Sequence, residues 1–133
     1  MIQRIAQVAI LVSDYDEAIA YFTETLGFEL LEDTALSPTK RWVVVAPFGA
    51  NGVRLLLAKA DGERQRTRIG DQTGGRVFLF METDDLQRDH HLLTTRGVRF
   101  LEEPRPEPYG LVAVFKDLYG NRWDLIQPVP HAE

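Results

Sequence analysis

Apolar and polar positions alternate through residues 4–12. Ile5, Gln7, Ala9 and Leu11 share one face of an extended chain, and Ala6, Val8, Ile10 and Val12 share the other. Both faces are largely apolar, which predicts a central strand. Ser13 and Asp14 stop it, and Asp14 with Glu17 has the spacing of a capping box, so a helix should follow to about Leu26. Ala18, Ile19, Phe22 and Leu26 form its buried stripe, and Gly27 closes it. Phe28–Leu31 reads as a short strand and residues 32–40 as a polar loop. Arg41–Ala46 is a β-branched strand, Pro47–Gly52 a turn, and Val53–Ala58 the next strand.

Residues 60–75, ADGERQRTRIGDQTGG, have almost no apolar content and carry Arg64, Arg66 and Arg68, so they read as a linker. This segment is either a solvated loop or one whose arginine folds over a cleft mouth to meet an anionic ligand. Beyond it the order repeats. Arg76–Glu82 is a strand, Thr83-Asp84-Asp85 a stop and cap, Leu86–Arg96 a helix closed by Gly97, and Val98–Leu101 a short strand. A proline-rich loop, Glu102–Tyr109, leads into a hairpin over residues 112–127. Its two apolar arms flank the reversal Asp117-Leu118-Tyr119-Gly120-Asn121. The stop, cap, helix, glycine and strand of residues 12–30 thus recur in residues 83–100. Each half reads β-α-β-β-β, and pairing two such modules buries their rims around a concave channel. The expectation is an α+β fold in which two βαβββ modules form a cupped mixed sheet. It is a single domain over 1–133, with module 1 at about 3–59, the linker at 60–75 and module 2 at about 76–128.

Composition narrows the chemistry. Twenty acidic against fifteen basic residues give a formal net charge of -5, which argues against affinity for nucleic acid or anionic membrane. The absence of cysteine removes disulfides, thiolate ligands and a cysteine nucleophile, and fits a reducing, cytoplasmic setting. No stretch reads as a signal peptide or membrane span. Glycine-rich phosphate loops and serine triads have no support in the spacing. His90 and His91 sit side by side on the second helix, where helix-surface roles suit them, and His131 lies in the tail.

Asp124, on the last strand, is the residue on which function turns. Either it pairs with a neighbouring arginine or backbone donor and serves the structure, or it is a carboxylate in an apolar cavity, suited to base chemistry or to a cationic ligand. Gln7 would orient a polar ligand atom, and Trp42, Val44, Phe78, Phe80, Tyr109 and Val114 would supply walls. A four-position metal site would take one residue from the first and last strand of each module. The first-strand positions are Gln7 and Phe78, or Val77 one register off; the last-strand positions are Asp124 and Leu55, or Leu56 one register off. One carboxylate and one amide make a poor cation trap.

QVAILVSDYDEAIAYFTETLGFEL and VFKDLYGNRWDLIQ resemble the vicinal oxygen chelate superfamily, which includes glyoxalase I, extradiol dioxygenases and bleomycin resistance proteins. The resemblance spans roughly residues 3–128. It implies paired βαβββ modules, a small-molecule ligand in the cup and a homodimer. Carried over, the family's metal positions fall at Gln7, Leu55, Phe78 and Asp124, and only Asp124 keeps its kind. The resemblance therefore implies a ligand-binding protein without the metal, contacting its ligand through Gln7, Trp42, Leu55, Phe78 and Asp124. Two alternatives stand. One is a lyase or dioxygenase-type enzyme holding a divalent ion such as Mn, Fe, Ni or Zn weakly through Gln7 and Asp124; the other is a non-catalytic scaffold.

Overall fold

The computed structural model describes residues 1–49 and 52–130. Ala50 and Asn51 of the expected turn, and His131, lie outside the described residues. The chain divides into two compact units, Met1–Gly70 and the part from Asp71 onward.

In the first unit, β1 (Gln7–Val12) leads through Asp14 into α1 (Tyr15–Ala20), and β2 (Phe28–Ala35), β3 (Arg41–Pro47) and β4 (Arg54–Lys59) follow. The sheet order is β1-β4-β3-β2, with β1 parallel to β4 and the remaining pairs antiparallel. β1, whose apolar faces predicted a central place, stands at the end of this four-strand order. Asp14 caps the helix by accepting from the Glu17 amide at 2.8 Å. The reciprocal half of the expected box is replaced, because the Glu17 carboxylate accepts from Ser13 Oγ at 3.0 Å. After Ala20 the helix widens into a π-helical turn, Tyr21–Thr25, closed by the Leu26 amide on the Tyr21 carbonyl. Ile10, Val12, Ala18, Phe22, Val43, Val45, Leu55 and Leu57 form the core of this unit.

The β2 strand outruns its expected end at Leu31 by reaching Ala35. Its polar residues form an exposed ribbon with β3. Arg41 crosses the ribbon to bind both oxygens of Asp33, at 3.1 and 2.7 Å, while also reaching Asp16 at 2.9 Å. Cross-strand ion pairing holds what hydrophobic alternation does not mark. The linker likewise contains a short helix, α2 (Glu63–Arg66).

The second unit repeats the plan. β5 (Val77–Glu82), α3 (Leu86–Thr95), β6 (Arg99–Phe100), β8 (Gly110–Lys116) and β9 (Arg122–Pro128) give the order β5-β9-β8-β6, with β5 parallel to β9. An additional strand, β7 (Arg105–Glu107), emerges from the expected proline-rich loop and pairs with β8. Proline is tolerated there because an outer strand need not donate on both sides. Each unit is therefore the anticipated βαβββ module with a mixed sheet.

Candidate functional site

In β9 alternate residues serve opposite faces. The Leu86 amide at the start of α3 donates to Gln127 Oε1 at 2.9 Å, which fixes the odd-numbered side chains on the helix side. Trp123 and Leu125 are accordingly buried there with Phe115. Asp124 points to the opposite face. Phe80 of β5 and Val114 of β8 are its register partners, so apolar side chains flank it on both sides.

The placement is costly for a carboxylate. Asp124 is 9% exposed, and its Oδ1 is buried with no hydrogen-bond partner among the described residues. Removal from water raises its pKa above the usual carboxylate value, and the positive charge of Arg105 partly opposes the rise. Arg105 lies on β7 opposite Val112, on the same side of the sheet. It is engaged elsewhere, since its Nε donates to Glu107 at 2.9 Å and its guanidinium pairs with Glu102. Phe80, by contrast, is 65% exposed. The face thus presents an apolar ring beside a carboxylate whose Oδ1 has no hydrogen bond among the described residues. A ligand carrying both an apolar plane and a proton donor would satisfy both.

The other expected contacts distribute as follows. Phe78 is half-buried at an irregularity in the β5–β9 register, so Phe80 is the residue opposite Asp124. Gln7 is half-buried in register with Arg54 of β4. Leu55 is 5% exposed and alternates with Leu56, which pairs with Val44 on the other face of the first sheet. Leu56 holds the third place of β4 as Asp124 holds the third place of β9. Trp42 lines a cavity of about 600 Å3 in the first unit, of which Asp124 is not a lining residue. Volume alone does not make that cavity the chemical centre; the unsatisfied carboxylate does. Sequence reasoning missed Arg105. The alternation of Arg105 and Glu107 ahead of Pro108-Tyr109-Gly110 was the available signal for a strand and turn.

Comparison with known proteins supplies the context. The family model described as Glyoxalase/Bleomycin resistance protein/Dioxygenase superfamily matches residues 4–125. An uncharacterized protein of Shewanella frigidimarina is 52% identical over 96% of this chain and 95% of its own. Among solved structures, UcmS2 is similar with a TM-score of 0.83 and 32% identity, covering 95% of this chain and 98% of its own. TnmS3, an antibiotic binding protein from Streptomyces sp. CB03234, has a TM-score of 0.78 and 34% identity, with 96% and 98% covered.

The residues here do not fit a resident metal. Leucine and phenylalanine at the positions corresponding to ligands offer no lone pair, and among the described residues no three His, Asp or Glu side chains group to hold an ion.

Proposed function

The chain belongs to the Glyoxalase/Bleomycin resistance protein/Dioxygenase superfamily, and from that premise we propose that it binds an amphipathic organic molecule on the face of its second sheet opposite α3, without a resident metal. The observation that carries the reading is Asp124, a strand-held and buried carboxylate whose Oδ1 has no hydrogen-bond partner among the described residues and which lies in register with the exposed Phe80. A planar apolar body covers Phe80, Val114 and Ile126, and a protonated amine or similar donor reaches Asp124. The donor's charge meets a carboxylate oxygen that the described residues leave without a hydrogen bond, which converts a folding cost into binding selectivity. Similarity to TnmS3, itself an antibiotic binding protein, supports a small organic ligand.

The chain acts as a homodimer in this reading, in the reducing interior of the cell. Phe48, 79% exposed, and Leu36, 55% exposed, are apolar groups that a second copy would cover.

Calorimetric titration with doxorubicin, a polycyclic aromatic bearing one protonated amine, tests the site. The wild type binds it, its amine-free aglycone binds more weakly, and the isosteric Asp124→Asn variant loses about tenfold or more in affinity. Equal affinities across ligand and variant would overturn the reading. Titration with Mn²⁺, Fe²⁺, Ni²⁺ and Zn²⁺ separates the enzymatic alternative. Stoichiometric binding abolished by Asp124→Asn would replace the proposal with metal-assisted lyase or dioxygenase-type chemistry.

A further inference from the structure

Arg105 is the cation whose charge acts on Asp124, yet among the described residues the two form no ion pair. β7 pairs Arg105 with Val112 of β8, and β8 pairs Val112 with Ile126 of β9, so Arg105, Glu107, Ile126 and Asp124 share the face opposite α3. Arg105 stands two strands from β9, about 10 Å at ordinary strand spacing. The same face carries Glu82 of β5, opposite Ile126, Arg99 of β6, opposite Lys116 of β8, and Arg122 of β9, which also pairs with Lys116. The charge of Arg105 is felt by Tyr109, just beyond β7, as well. Arg122 and Lys116 lie toward the reversal of the hairpin, which leaves Arg105 as the cation placed to reach Asp124.

A guanidinium is the natural partner of a buried carboxylate, because its planar fork donates to both oxygens at once. Arg105 does not take that role. Its Nε donates to Glu107 Oε1 at 2.9 Å, and its Nη1 pairs with the Glu102 carboxylate. Glu102 reaches it from the loop before β7, and Glu107 from two residues along the same strand, where alternation returns the side chain to the face of Arg105. The side chains of Glu102 and Glu107 are 35% and 32% exposed, so neither bears the desolvation that Asp124 does. Two part-solvated acids thus compete with one buried acid for a single cation, and they hold it. We propose that Glu102 and Glu107 are positioning residues that keep Arg105 off Asp124, and so leave Asp124 Oδ1 to a cationic donor; the inference rests on the reading of Asp124 as the ligand's partner. Without the two glutamates Arg105 would neutralise Asp124, and the face would take uncharged ligands as readily as amines.

Crystallography of the ligand-free Glu102→Gln, Glu107→Gln double variant tests the clamp without any ligand. The Arg105 guanidinium is expected within hydrogen-bond distance of Asp124, and a guanidinium that stays away from Asp124 overturns the proposal. Calorimetry then reads the consequence. The wild type should prefer doxorubicin to its amine-free aglycone by about tenfold, the double variant should bind the two about equally, and adding Arg105→Gln to the double variant should restore the preference. A merely structural role would weaken both ligands together and would not be rescued by a third substitution. Raised salt screens distant exposed charges far more than a direct pair on a buried carboxylate, so a loss of preference that disappears in salt would also overturn the proposal. If the wild type itself shows no preference, the reading of Asp124 fails, while the ligand-free structure still decides whether the glutamates hold Arg105. The single Glu107→Gln variant, which keeps the Glu102 pair, should show part of the loss and serves in both measurements if the double variant does not fold.

Discussion

Asp117 and Asp124 stand on the same hairpin, and the fold treats them in opposite ways. Asp117 is 6% exposed and fully used. Its Oδ1 accepts from the Tyr119 and Asn121 amides at 2.9 and 3.0 Å, and its Oδ2 from Asn121 Nδ2 and Trp123 Nε1 at 3.1 and 3.0 Å. Replacing it by alanine strands buried donors, and Asp117→Ala should cost about 3 kcal/mol in urea unfolding. Asp124 has no such support, and its pKa is raised by burial. A carboxyl group with a folded pKa above its unfolded one stabilises fully below the unfolded value near 3.8 and loses that contribution as pH rises through the folded value. Asp124→Asn should therefore raise the unfolding temperature at neutral pH, and the gain over wild type should vanish as pH falls below the unfolded value. A gain that persisted undiminished in acid would show that burial of the charge is not its source.

At the level of elements, strands and helices with one apolar face were legible, and those held by polar contacts were not. β1, α3 and the β8–β9 hairpin follow periodicity and caps; Asp85 accepts from the Arg88 amide at 3.0 Å as the stop at Thr83-Asp84-Asp85 implies. The outer half of β2 escaped notice because Asp33 and Arg41 hold it through charge, and β7 because two prolines flank Arg105. The candidate site divided along the same line. Asp124, Phe80 and Val114 were readable as strand residues of one face, whereas Arg105 needed the unforeseen strand. Leu55 and Leu56 differ by one position, and only pairing decides which faces the helix. Gly110 marks where β7, β8 and β9 converge. Its φ is 151°, and a Cβ there would lie 2.3 Å from the Gln127 carbonyl oxygen. Gly110→Ala should cost more than about 2 kcal/mol, because the obstacle is backbone. Thermal unfolding of that variant, beside Gly52→Ala in open space, measures the difference.

Over the whole molecule, both units run first strand, helix, and three further strands in the same sheet order, and β7 is the addition made to one of them. Among the described residues no helix is long and apolar enough to cross a membrane. Sedimentation equilibrium should give about twice the 15.1 kDa chain mass if the proposed homodimer forms, and the chain mass itself would refute it. The correspondence of Leu56 with Asp124 reaches further than geometry. A duplicated half that carries leucine at the place of its sibling's carboxylate has no donor to preserve there. Its strand is free to present an apolar side chain where the other half presents a charge, so one repeated plan yields two chemically unequal surfaces.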